Sequence, residues 1–267
     1  MPISDATPQE EFSRAAERMA VRALDVLSAL GGADATSATA PHRSDGPAAA
    51  LGGTRAELGG ARVLGADLFA PYLLTGTPLH PGLDEARAMV LAFEQYPPAQ
   101  PQAPQPAAAQ PGAPQPAVPQ AADRAASAVV WRDWAAAEVL GRCGHRVPVP
   151  PPDGHEPQDG AADQWQQWSV WMAQLSPLAL PGLDSPVHDS ARRNPRALGR
   201  GAVRAMLRRD YRTAARIARW LSLGQAQGVA SPVRLEPLLH HVRLFGGPSA
   251  RTALDVRVGE RLAEAGP

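Results

Sequence analysis

An all-α fold is what this chain of 267 residues predicts, and three observations predict it. Apolar side chains recur at three- and four-residue intervals in segment after segment, the period of one helix face. A capping residue followed by proline, a helix-start signal, precedes two of these segments. The 29 prolines and 24 glycines favour two modest helical units over one large core.

Thr7, Pro8 and Glu10 open the first element as a capping box with proline in the first helical position. Phe12, Ala16, Met19, Ala23, Val26, Leu27 and Leu30 then form one stripe, giving a helix over 8–30 that Gly31 and Gly32 end. Residues 33–60 offer few large apolar side chains to offset the entropy of ordering them, and are read as a disordered loop. Two further short helices follow within 62–74 and 83–96, the second carrying Leu83, Ala86, Val90 and Phe93 at helical intervals. Residues 1–96 thus make a small acidic helical unit of marginal stability.

Between 97 and 120 the chain contains only Pro, Gln, Ala, one Gly and one Val. Such a composition buries nothing and favours extended conformers, so it reads as a disordered Pro-rich linker.

The larger unit, 121–267, holds all six tryptophans and should be the better packed. A helix over 123–141 groups Val130, Trp134 and Ala137, and a Pro-rich loop covers 147–160. In a helix over 163–175, Trp165, Trp168 and Trp171 step by three, while Trp165, Trp168, Met172 and Leu175 repeat a packing seam. Core packing is the first reading of these indoles, with the exposed part of the seam, Trp168 and Trp171, available to a partner.

Asn194 and Pro195 start the most distinctive element, which reads as helical to about Gly224. Val203, Met206, Leu207, Ala214, Ile217, Ala218 and Leu221 fall on one side; Arg204, Arg208, Arg209, Arg212, Arg216 and Arg219 fall on the other. Arginines also follow one another at steps of four from Arg192 to Arg216, where like charges repel by about a few tenths of a kcal/mol per pair. The stretch from Arg209 to Ala214 resembles the turn inside a tetratricopeptide hairpin, which implies a break of this helix at Asp210. The resemblance covers one unit, and a second copy at the repeat interval is missing. Two last helices are expected over 235–245 and 249–265.

The chain has no lysine, and its 26 basic residues are all arginine against 26 acids. GC-rich coding accounts for part of that number. Residues 1–96 hold seven arginines against twelve acids and residues 121–267 nineteen against fourteen, about −5 and +5, so the two units can attract each other. A single cysteine, Cys143, excludes an internal disulfide framework, and the acidic start lacks a secretory pattern; both point to a cytoplasmic protein. No apolar run is long enough to span a bilayer, so no membrane is expected.

Catalytic signatures do not emerge, and the catalytic residues stay unknown. Cys143, His145 and His155 lack a second ligand pair for zinc, so no metal is expected. His155-Glu156-Pro157 lacks the second histidine of a metalloprotease helix. Neither a phosphate-binding loop nor a nucleophile elbow is present, and no cofactor is expected. The string Leu238-Leu239-His240-His241-Val242-Arg243-Leu244 is faintly similar to a tail motif of lanthipeptide and thiopeptide dehydratase-like elimination domains, with Val242 where that motif has Asn. That similarity implies an enzyme as one alternative.

The leading expectation is a cytoplasmic helical adaptor or regulatory protein–protein interaction module. Its contact face comprises Arg204, Arg208, Arg209, Arg212, Arg216, Arg219, Trp168 and Trp171, and its partner is an acidic protein or its own N-terminal half. A nucleic-acid-binding module using the Arg-rich helix is the alternative, with phosphates as counter-charges.

Overall fold

The computed structural model describes residues 7–32, 54–98, 121–150, 152 and 164–266. Among the described residues there are eleven α-helices, two short 3₁₀ turns and no strands, an all-α architecture. The expected linker, from residue 99 onward, and most of the expected loop at 33–60 lie outside the described residues.

Helix α1 (Pro8–Gly32) begins with the capping box its sequence spells. Glu10 N donates to Thr7 Oγ1 at 3.3 Å and Thr7 N to Glu10 Oε2 at 3.0 Å. Its stripe faces inward, with Ala16, Met19, Ala23 and Leu27 all buried.

Helix α2 (Arg55–Leu64) corrects the expected loop boundary, because 55–60 is helix. Thr54 and Glu57 form a second capping box there. A Cβ at Gly60 would lie 2.9 Å from backbone atoms of Ala15 and Ala16, and one at Gly59 2.8 Å from the Phe12 ring. The absence of side chains lets α2 lie directly on α1, so the stretch packs without the large apolar residues whose scarcity suggested a loop.

A 3₁₀ turn (Gly65–Phe69) then carries Asp67, Leu68 and Phe69 inward. Helices α3 (Ala70–Thr75) and α4 (Asp84–Gln95) follow. Helix α5 (Ala121–Arg142) bridges the molecule, touching α4 and the 3₁₀ turn as well as α6 (Trp165–Gln174).

Helix α7 (Pro186–Arg193) was not anticipated; its only sequence signal is Ser185 before Pro186, which occupies the first turn. The arginine-rich element is a hairpin of α8 (Pro195–Leu207) and α9 (Tyr211–Ala226). Helix α9 is the hub, packing against α6, α8, α10 (Leu235–Phe245) and α11 (Ala250–Glu264). Its fully buried Trp220 donates from Nε1 to the Met172 carbonyl at 2.8 Å.

Buried residues from Ala16 to Leu262 form one continuous hydrophobic cluster, so both stretches flanking the proline-rich segment contribute to one core. Glu17 of α1 accepts from Arg251 Nε at 2.8 Å and from Ser249 Oγ at 3.1 Å at the start of α11. Arg62 of α2 pairs through both terminal nitrogens with Asp133 of α5. Alanine is the commonest apolar residue buried among the described ones, which keeps neighbouring helix axes close. No described helix is long and apolar enough to cross a membrane.

Candidate interaction surface

The tip of the α8–α9 hairpin is built by three residues. Asp210 N donates to Ala205 O at 2.9 Å and Arg209 N to Met206 O at 3.0 Å. These are the two bonds of a Schellman helix ending, a motif whose left-handed residue is ordinarily glycine. Here that residue is Arg209, with φ of 59°, and it has the only positive φ of any non-glycine among the described residues. A side chain in that region costs about 1 kcal/mol relative to glycine. Coding bias does not explain the choice, since glycine codons are as GC-rich as those of arginine and the chain uses 24 glycines. Asp210, the lone acid of the run, is committed locally: its Oδ1 accepts from Thr213 N at 3.1 Å and caps α9.

Arg204, Arg208, Arg209 and Arg212 are exposed. Among the described residues, none of the four side chains forms a hydrogen bond or ion pair; Arg204 lies 6.0 Å above the Trp165 ring and Arg200 4.2 Å above it. Partial burial, with Arg216 and Arg251 nearby, lowers the pKa of Arg212. Uncompensated positive charge is therefore concentrated at this tip.

Apolar surface accompanies it. Leu207, the last residue of α8, is 80 % exposed, and Leu244 and Phe245 of α10 are 62 % and 57 % exposed. Phe245 stacks at a tilt on His241 with centroids 4.5 Å apart, and Tyr211, first in α9, lies 5.8 Å from His241 and 6.5 Å from Phe245.

Other residues expected at the surface are inside. Arg219 is fully buried. Its Nη2 donates to Asp67 Oδ1 and its Nη1 to Asp255 Oδ1, both at 2.7 Å. Burial would lower its pKa, but the two carboxylates outweigh that and raise it. Arg216 is partly covered, with Nε 3.3 Å from Asp255 Oδ2. Trp168 and Trp171 are also buried, because the seam of α6 faces α8 and α9. Trp171 Nε1 donates to Arg124 O at 3.2 Å. Arg219, Trp168 and Trp171 thus belong to the interior and offer no contact face. Trp165, at the start of the same seam, is the indole that meets the arginines. The four-residue spacing of Arg200 and Arg204 was the signal for it.

Among the described residues, His145, His188 and His240 lie apart in the fold. His188 is 1 % exposed, its Nε2 donates to Leu178 O at 2.9 Å, and its Nδ1 accepts from Ser185 at 2.8 Å. This hydroxyl–imidazole pair sits behind Trp220, whose ring centroid is 5.2 Å away, and it closes the start of α7. Burial lowers the His188 pKa. His145 bonds to Pro81 O at 3.1 Å and ties the end of α5 to the turn before α4. His240 lines an open cleft of about 910 Å³ between α10 and α11, where Arg243 and Arg257 both pair with Glu260. Cys143 is buried, and that burial pushes its thiol up to about 11. Among the described residues, no three His, Cys, Asp or Glu side chains converge as metal ligands.

No protein-family model, curated protein or solved structure matches the chain.

Proposed function

We propose that this protein is a cytoplasmic adaptor or regulatory interaction module that engages another protein through the α8–α9 tip and the adjoining end of α10. The observation that carries this reading is Arg209, a side chain held in a backbone conformation better suited to glycine while its guanidinium points to solvent without a partner among the described residues. Local strain at an exposed position is retained where the side chain has a use. The surrounding cations supply steering and specificity, and Leu207, Leu244 and Phe245 supply the apolar area that makes a contact persist.

A nucleic-acid reading is favoured by one observation, the exposed Phe245 ring that Tyr211 links to the arginine-bearing start of α9, since base stacking and phosphate neutralisation use such groups. The two readings separate in one experiment. The full chain and an Arg208→Ala/Arg209→Gly variant serve as baits in lysate of the native host, with and without nuclease, and captured proteins are quantified by mass spectrometry. The adaptor reading expects a protein that survives nuclease and falls at least about tenfold with the variant, equivalent to roughly 1.4 kcal/mol. Equal capture by both baits rejects the tip as the contact face, and nuclease-sensitive capture transfers it to nucleic acid.

A further inference from the structure

Helix α8 carries Arg196, Arg200 and Arg204 at steps of four, and Arg208, which caps its end, continues the row; all four are exposed. Val203 and Leu207 form a second exposed row of the same step. Each step of four residues advances about 6 Å along a helix, so the two rows run up the flank as adjacent ridges. The cationic row has no acid within it, and among the described residues no carboxylate reaches any of its four members at ion-pair distance.

We infer that this flank receives an acidic amphipathic helix of another protein, with Asp or Glu at three- and four-residue spacing against the arginine ridge and Leu- or Phe-like side chains over Val203 and Leu207. The inference rests on the adaptor reading and names its partner. Charge complementarity sets the sign. The repeat favours a helix, because carboxylates four residues apart advance by the same 6 Å as the arginines. Same-face residues of an extended strand recur every 6.8 Å or so and drift out of register by more than about 2 Å over three steps. The aliphatic row separates a protein from a polynucleotide: phosphates gain nothing from Val203 and Leu207, and the Trp165 face that could stack a base is already covered by Arg200 at 4.2 Å. Ridge-into-groove packing of two helices uses both rows at once.

The test selects a display library of random peptides about 20 residues long on the full chain, then measures the enriched peptides and an oligouridylate of similar length by fluorescence anisotropy. Enriched peptides should carry acids at three- and four-residue spacing with interleaved Leu, Ile or Phe. Arg204→Glu/Arg208→Glu should weaken them at least about tenfold, and peptides with the facing acids changed to arginine should regain binding to that variant. An Arg204→Gln/Arg208→Gln variant, which adds no carboxylates, controls for folding and should also bind weakly while keeping the wild-type melting temperature. Peptides without patterned acids, binding indifferent to both variants, or tighter variant-sensitive binding of the oligouridylate would each overturn the inference. If the tip-dependent capture described above persists while the peptides fail, this inference alone falls; loss of that capture removes the adaptor reading itself.

Discussion

Arg209 and Arg219 share a side chain and meet opposite fates. The first sits in solvent on a strained backbone, and the second is enclosed between Asp67 and Asp255. Arg209→Gly should therefore stabilise the fold by about 1 kcal/mol, read as a higher denaturant midpoint, while weakening partner capture. Opposite signs for the two effects would distinguish a functional from a structural arginine. Arg219→Leu should destabilise by about 3–5 kcal/mol, because Asp67 loses its ion-pair partner inside the protein and Asp255 is left with Arg216 alone; equilibrium unfolding measures it. Helical spacing alone put both residues on one polar face. It could not separate them, since the partners of Arg219 lie 152 and 36 residues away in the chain. Trp168 and Trp171 show the same limit: an evenly spaced seam marks helical packing without telling which indole ends at the rim.

Capping and glycine contacts decide the elements. Helices with a clear apolar stripe or start signal, such as α1, α6 and α8 through α11, were legible because period and cap point the same way. Helix α2 was missed because its packing uses backbone against backbone. Gly60→Val should separate α1 from α2 and cost about 1–3 kcal/mol, since the new Cβ meets main-chain atoms of Ala15 and Ala16 that have no rotamer to yield. Thermal unfolding tests it, with Gly32→Ala, where open space surrounds the new Cβ, as the tolerated control. The α1–α11 junction carries a pH signature. Partial burial raises the Glu17 pKa, but hydrogen bonds from Arg251 and Ser249 outweigh that and hold it below the ordinary carboxylate range. A depressed carboxylate contributes stability above its unfolded pKa of about 4.3 and loses it as pH falls through the folded value. Glu17→Gln should accordingly lower the melting temperature at pH 7, with the gap to wild type closing below about pH 4.

The whole molecule joins an acidic and a basic stretch through one core. Composition revealed the charge asymmetry but not that the two stretches touch, because neither a salt bridge such as Arg251 to Glu17 nor the packing of α1 on α11 leaves a local trace. Calorimetry of the full chain should show a single cooperative transition, and residues 121–267 alone should lack one, having lost the α1 face of α11 and the Asp67 partner of Arg219. Two resolved transitions would mean that the halves melt independently. The alanine-rich interior carries a consequence for how such a protein can change over time. A single-base change that replaces a buried alanine yields glycine, which weakens a helix, proline, which breaks one, or a larger side chain that close-packed helices resist. Random drift is thus barred from the interior, and variants of this chain should diverge chiefly at the arginine ridges and loops, where recognition of a new partner could be acquired while the scaffold stays the same.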